Sequence, residues 1–513
     1  MTKRPKRRAN QIGDTPAPAE GNPGGQYRPL SDAEVTRIHR AALDVLARTG
    51  MAGPTPTVRD LALENGCTLD GDGRLLFPPG LVEDVLAGAA RSFVMHGQDP
   101  RHDLEIRPEH VHFCTGGAAV KMLDHETRQY RDATVVDLYD LARLCDTLAN
   151  IQWFTRTVVA TEISDWYELD INTAYACAAG TSKHIGTSLT LGEHVEKLVA
   201  MFDVMLGGEG RFQKRPFHTA HATTIVSPLT FAEDSSNVAT AAARHGMPIL
   251  SLNGPQSGAT APAALAGTMV LSVAEALAAL VAINLVQPGH PVIIGNATFV
   301  SDLRSGAFSG GGGEQAVLTA ASAQMSNFYG IPSGVLAGMS DSKLPDNQAG
   351  YEKAITDLLA GFAGANFVYE SAGMLAGLLG CSFEAMAVDD EMISNIRRAM
   401  RGIEVTDDTL SVEVIEQVAR GPGHFLGAAQ TLELMESEYV YPRLADRATP
   451  DEWRESGSTD IWDRARDRVT IILAEHYPDH IASDLDRRIR EQFPIRLHSD
   501  HMAAGTGRWK VAG

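Results

Sequence analysis

The chain has 513 residues, 44% of them hydrophobic, so it can bury a large core, either as two or more domains or as one α/β barrel with extensions. Its formal net charge of -20 excludes general binding to nucleic acid or to an anionic membrane, because an acidic surface repels phosphate. The five cysteines, Cys67, Cys114, Cys145, Cys177 and Cys381, lack CxxC spacing, which indicates neither a structural zinc site nor a disulfide framework and suits a reducing cytoplasm.

The chain opens on a basic, Pro/Gly-rich leader with Lys3, Arg4, Lys6, Arg7 and Arg8; residues 1–27 show no apolar periodicity and are expected to be a disordered tail. No signal-peptide core follows it, and the later apolar segments are broken by Gly, Pro or charge, so neither secretion nor a membrane span is expected. From Leu30 to Thr49 the pattern is an amphipathic helix: Ser31 and Glu34 form a capping box, Ile38, Ala42, Leu43 and Leu46 share a face, and Gly50 stops it. Two further helices, Val58 to Asn65 and Pro79 to Ala90, complete a helical N-terminal cap over residues 28–104.

The texture then changes to short β-like runs alternating with helices. The runs are VHFCTG, IQWFTRTVV, KHIGTSLT, HTAHATTIVS, MPILSLNG, PVIIGNATF, IPSGVLAGM and ANFVYESAGM. Helical patterns separate them: Val135 to Leu148, Leu169 to Ala179, Gly192 to Leu206, Phe231 to His245, Ala261 to Val286, Glu314 to Tyr329 and Ala349 to Phe362. The reading is an α/β fold, a TIM (β/α)8 barrel over residues 105–390 with helical N-terminal and C-terminal extensions. An open doubly wound sheet has the same alternation, but the small and polar residues ending each run suit one shared mouth. Residues 391–513 are helical and highly charged, broken by GPGHFLG, and are expected to pack on the barrel and to close over its mouth.

Several loops carry candidate chemistry. The tract from Ser309 to Glu314 reads as a glycine-rich loop opening a helix or as an anion-binding turn; without GxGxxG spacing or a following Lys-Ser/Thr, a nucleotide is not indicated. Asp341, Ser342 and Lys343 follow one run and Glu370 ends the next, where barrels place catalytic or ligand-orienting groups; a structural ion-pair network is the plain alternative. His218 and His221, three apart on a strand, face opposite sides and cannot share a metal, and His184 at a strand end is the better candidate for substrate contact. Trp153, Phe154, Phe299 and Tyr369 fall near strand ends, where rings with a carboxylate hold a quaternary ammonium by cation–π attraction.

The segments AYACAAGTSKHIGTSLT, FVSDLRSGAFSGGGGEQAV, AGMSDSKLPDNQAGYEK, GANFVYESAGM and GHFLGAAQTLELMESEYVYPRLADR resemble the trimethylamine methyltransferase family, especially its bacterial branch without pyrrolysine, which is glycine betaine methyltransferase-like. The resemblance spans from about Leu30 to the C-terminal helices. It implies a TIM barrel that moves a methyl group from a tertiary or quaternary methylamine, such as glycine betaine, proline betaine or carnitine, to the Co(I) corrinoid of a partner protein docked over the mouth. Matched to family motifs and the readings above, the expected catalytic residues are Asp341, Lys343 and Glu370, and the expected substrate-binding residues are His184, Phe299, Asp302, Glu314, Ser342 and Tyr369. A betaine carboxylate would find Lys343, His184, Arg304 or the glycine tract. No metal held by side chains and no tightly bound cofactor are expected; the corrinoid (cobalamin) comes with the corrinoid-binding protein, and the chain is expected to be a homo-oligomer. Two departures near the mouth, GPQSGAT at Gly254 to Thr260 and Asn296-Ala297-Thr298 before FVSD, bear on substrate identity. Other readings are transfer to a folate-linked acceptor or a sulfur compound, a sulfonium donor, and a betaine-binding barrel without turnover.

Overall fold

The computed structural model describes residues 19–505 with residues 508 and 509, so the basic leader residues Lys3 to Arg8 lie outside it. Eight parallel strands form a closed ring: β1 (His110–Thr115), β2 (Trp153–Thr155), β3 (His184–Ser188), β4 (His218–Ala222), β5 (Ile249–Asn253), β6 (Val292–Asn296), β7 (Ser333–Leu336) and β8 (Phe367–Ala372). Neighbours pair in chain order. Pairing of Cys114 with Trp153 and of Phe367 with His112 puts β1 between β2 and β8, which closes the TIM barrel and rules out the open sheet. Each strand falls in one of the eight β-like runs, β1 beginning one residue before its run at His110.

The crossover helices are α1 (Val135–Thr147), α2 (Trp166–Gly180), α3 (His194–Met205), α4 (Glu233–Arg244), α5 (Leu265–Val286), α6 (Gly313–Tyr329), α7 (Asn347–Ala363) and α8 (Phe383–Arg401). α8 runs on to Gly402, because its buried face continues through Ile393, Ile396 and Met400; the barrel therefore extends beyond the expected boundary at residue 390. α5 is apolar on every side, and in length and composition it resembles a membrane span, yet it is buried here. The three N-terminal helices, Asp32–Arg48, Pro56–Glu64 and Pro79–Gly88, pack over it and hide the face that a surface helix would show to water. Its one carboxylate, Glu275, accepts hydrogen bonds from Leu229 N–H at 2.9 Å and Ser227 Oγ at 2.7 Å, which supports the burial of a polar group in an apolar helix.

Of the tail expected over residues 1–27, residues 1–18 lie outside the described residues, and the rest is ordered on the barrel. From Ala19 the chain lies against the N-terminal ends of the strands: Ala19 N–H donates to Asp103 O at 2.8 Å, Asn22 pairs with Val111, and Tyr27 N–H donates to Phe362 O at 2.9 Å. A hairpin of Phe93–Met95 and Leu104–Ile106 closes this lower end, with Met95, Leu104 and Ile106 joining the apolar cluster inside the ring.

In the C-terminal extension the helices Ile461–Glu475 and Ser483–Gln492 lie against barrel helices, but the segment directly after α8 differs from expectation. α8 descends from the mouth, so the arm that follows leaves from the lower face, near Asn22 and Asn150, both of which Arg397 contacts. Its helices, Val412–Ala419 and Ala429–Glu438, bury only Val418 between them, while Ile403, Val412 and Leu426 are largely exposed. Glu438 ties the base of the arm to Arg398 at 2.9 Å and Arg401 at 3.3 Å. The GPGHFLG turn is therefore part of an exposed arm rooted opposite the mouth rather than a cover over it.

Candidate active site at the barrel mouth

The side chains at the carboxyl ends of the strands converge on one cluster. Trp153, which opens β2 in register with His184, lies beneath this cluster inside the ring and meets the His221 ring edge-on at 5.5 Å, and His221 meets Tyr369 of β8 at 5.5 Å. The Tyr369 hydroxyl lies 3.4 Å from His221 Nδ1 and accepts a long hydrogen bond from Gly117 N–H at 3.4 Å. Two glycines make the room. A Cβ on Gly186 would stand 2.3 Å from His221 Nε2 and 2.9 Å from the Trp153 ring, and one on Gly116 would stand 2.6 Å from the Tyr369 ring and 2.7 Å from Glu370 Cγ.

That last pair of distances carries a structural meaning. Successive residues of a regular strand point to opposite faces, yet Tyr369 and Glu370 both face Gly116. The pairing of β8 with β1 slips between Val368 and Ala372, and Glu370 has φ +73°, a left-handed conformation that a non-glycine residue adopts only under tertiary constraint. The bulge re-aims the carboxylate at the mouth.

Glu370 is 3% exposed, and its Oε2 has no hydrogen-bond partner among the described residues. Burial alone pushes its carboxyl up to about 8. Trp153 Nε1, His221 Nε2 and Thr155 Oγ1 likewise lack partners among the described residues. Buried polar groups are paired in the great majority of cases, so several unpaired ones around a single strained carboxylate mark a place built for a polar ligand. Burial, followed by the nearby Arg156 charge, drives the His221 pKa well below its usual value, so its imidazole is neutral at pH 7.

The expected site residues divide into groups. Glu370 and Tyr369 sit in this cluster. Phe299 lies at its rim, edge-on to Phe308 at 4.9 Å. Asp341 accepts from Ser309 Oγ and Gly310 N–H, each at 3.0 Å, and so ties the loop after β6 to the loop after β7. Ser342 donates to Asp346 at 2.9 Å in the turn before α7. Lys343 is exposed and reaches the Asp341 backbone carbonyl at 2.7 Å, so the alternative reading of these residues, an Asp341–Lys343 ion pair, is not formed. Asp302 is paired with the exposed Arg304 at 2.9 Å, which holds its carboxyl down to about 2, in a turn away from the cluster. Glu314 is exposed in the first turn of α6, where it complements the helix dipole.

His184 lies at the other end of the barrel. It opens β3, and both ring nitrogens are engaged, Nδ1 with His96 O at 2.7 Å and Nε2 with Thr219 Oγ1 at 2.8 Å. The glycine tract is a packing device rather than an anion cradle: a Cβ on Gly311 would stand 2.5 Å from Glu352, and Gly310 N–H is already held by Asp341.

Sequence reasoning missed His221 as a mouth residue, and it missed Arg156. The spacing of His218 and His221 did carry the signal, since it sends the two rings to opposite faces: His218 meets Phe202 of α3 at 5.2 Å in the outer layer, and His221 is inside. Among the described residues, no group of three or more His, Cys, Asp or Glu is arranged to hold a metal ion.

Comparison with known proteins gives concordant matches. The family model described as trimethylamine methyltransferase matches residues 1–499. A trimethylamine methyltransferase of Methanosarcina thermophila is 34% identical over 467 residues, covering 90% of this chain and 96% of that protein. A glycine betaine methyltransferase of Desulfitobacterium hafniense (strain Y51) is 28% identical over 465 residues, covering 91% and 96%. Among solved structures, the monomethylamine methyltransferase of Methanosarcina barkeri is 14% identical with a TM-score of 0.46, covering 88% of this chain and 95% of that one.

Proposed function

Because this chain belongs to the trimethylamine methyltransferase family, we propose that it transfers a methyl group from a quaternary methylamine, with a betaine as the preferred class, to the Co(I) corrinoid of a partner protein. The observation that carries the reading is Glu370: a buried carboxylate, unpaired among the described residues, beside Tyr369 at the mouth of a closed barrel. Rings and a carboxylate in a water-poor site favour a bound cation that has no hydrogen to donate. The continuous run of standard residues, with no pyrrolysine, and the relative named for glycine betaine support a quaternary donor over trimethylamine.

The chemistry asks little covalent help of the protein. A quaternary nitrogen already carries positive charge, so when its bond to the transferred methyl carbon breaks the electron pair returns to nitrogen and a neutral amine departs. The corrinoid of the partner protein would supply the nucleophile. The residues of this chain bind and orient the donor: the rings hold the ammonium, the ionised Glu370 offsets its charge, and the neutral His221 adds no repulsion. In the free protein Glu370 is largely protonated at pH 7, so binding a cation expels its proton. Incubating the protein with reduced cobalamin and a panel of glycine betaine, proline betaine, carnitine and trimethylamine, while following methyl-cobalt absorbance, tests the reading. Transfer from a betaine is expected; transfer from none, or from trimethylamine alone, refutes it.

A further inference from the structure

A zwitterionic substrate needs an anion partner as well as a cation site. The groups that the sequence offered for this role are engaged elsewhere: Gly310 N–H with Asp341 at 3.0 Å, Lys343 with a backbone carbonyl at 2.7 Å, Arg304 with Asp302 at 2.9 Å, and His184 at the lower end.

One other cation stands at the mouth. Arg156 follows the last residue of β2, and its backbone N–H donates to Gly186 O at 3.0 Å, which fixes it on the rim beside β3. It is partly exposed, and among the described residues its guanidinium makes no hydrogen bond or ion pair, although the chain carries 64 Asp and Glu against 44 Lys and Arg. Its charge is felt by two members of the cluster, the His221 imidazole and the Tyr369 phenol, after the larger effect of their burial. Glu370 makes no ion pair with it, and its Oε2 has no hydrogen-bond partner among the described residues.

We infer that Arg156 is the specificity-determining residue of this site, its guanidinium taking the carboxylate of a zwitterionic quaternary amine whose ammonium lies against Glu370. The inference rests on the methyl-transfer reading and narrows its substrate class. A guanidinium presents two parallel N–H groups that match a carboxylate, and His221 Nε2, unpaired among the described residues, is a further polar group in the same cluster.

The test compares glycine betaine with tetramethylammonium, which has the cation but no carboxylate, in the wild type, Arg156→Gln and Arg156→Lys. Binding is read by calorimetry on the full chain without acceptor, and transfer is read with Co(I) cobalamin. The preference for glycine betaine over tetramethylammonium is expected to fall about tenfold or more in Arg156→Gln and less in Arg156→Lys, as the loss of a charge-assisted pair implies. The melting temperature is expected to stay unchanged, because the side chain has no protein partner to lose. An unchanged preference overturns the inference. If both ligands lose transfer equally, and only with a protein-bound acceptor, Arg156 meets a carboxylate of the partner and the inference is again overturned. If the wild type binds betaine through Arg156 but transfers from no donor, the methyl-transfer reading fails separately.

Discussion

The two ends of the barrel treat polar groups in opposite ways. At the lower end Lys183 is buried, but its ammonium donates to the carbonyls of Cys145, Leu148 and Ile151, each at 2.6 Å, and so caps the C-terminal end of α1. His184 beside it spends both nitrogens, and Asn366 at the foot of β8 donates to His110 O at 3.0 Å while accepting from Ser333 N–H at 2.9 Å. At the mouth Glu370 and His221 are equally buried, yet Glu370 Oε2 and His221 Nε2 lack partners among the described residues. The contrast assigns stability to one end and ligand binding to the other, as barrels with their active sites at the carboxyl ends of the strands do.

The sharpest way to break the comparison is at Lys183. Removing the ammonium leaves three buried carbonyls without a donor, so Lys183→Met is expected to cost about 3 kcal/mol or more. Chemical denaturation measures it, while methyl transfer per folded molecule should stay at the wild-type level. The reverse pattern belongs to Glu370→Gln, for which transfer is expected to fall about tenfold or more, or about 1.4 kcal/mol, with no loss of stability. A variant that unfolds easily but keeps full transfer would instead make Glu370 a structural group.

The same carboxyl predicts a pH dependence. Its folded pKa, about 8, lies above the ordinary 4.5, so between those values the folded protein holds a proton that the unfolded chain releases. Stability therefore falls as pH rises from about 4.5 through about 8, and Glu370→Gln should flatten that part of the curve. Betaine affinity should move the other way, rising with pH toward 8 as Glu370 ionises. Melting curves and calorimetry across pH 5 to 9 check both arms of this prediction.

A smaller effect is expected at Asp341, whose carboxylate joins the loops after β6 and β7 through Ser309 and Gly310. Asp341→Ala should cost about 1–2 kcal/mol and loosen the rim, which hydrogen exchange of residues 309–311 would register. The smallest change should follow replacement of residues 403–437 by a short flexible linker. This arm buries almost nothing, so a shift within about 0.5 kcal/mol is expected for the isolated chain. A drop of several kcal/mol would mean that the arm is covered in the assembled protein.

Much of the barrel was legible because each strand is a short apolar run closed by small or polar residues, and each helix between them keeps its own period. The direction of the strands was used less well. His184 opens its run, and in a parallel barrel an opening residue belongs to the lower end, so its neighbour Lys183 alone should have warned against a mouth role. Glu370 and Tyr369 could be placed at a strand end, but alternation would have sent them to opposite faces; the bulge and the positive φ that bring them together arise from tertiary packing against Gly116. Arg156 was hidden for another reason: one arginine after Trp-Phe-Thr resembles any surface arginine, and only the absence of a partner singles it out. The acidic loops around residues 302 and 341 had the right composition, yet their carboxylates are spent on their own turns.

The cover over α5 bears on how the chain is made. The helix Asp32–Arg48 leaves the ribosome early, but the surface it packs on is translated about two hundred residues later, and β1 must wait for β8. During that interval the apolar face of Val35, Ile38, Ala42 and Leu46 has no native partner. Folding is thus committed late, after α5 emerges. A stalled nascent chain ending before Leu265 should be protease-sensitive and bound by chaperones, whereas one extending beyond α8 should already be resistant.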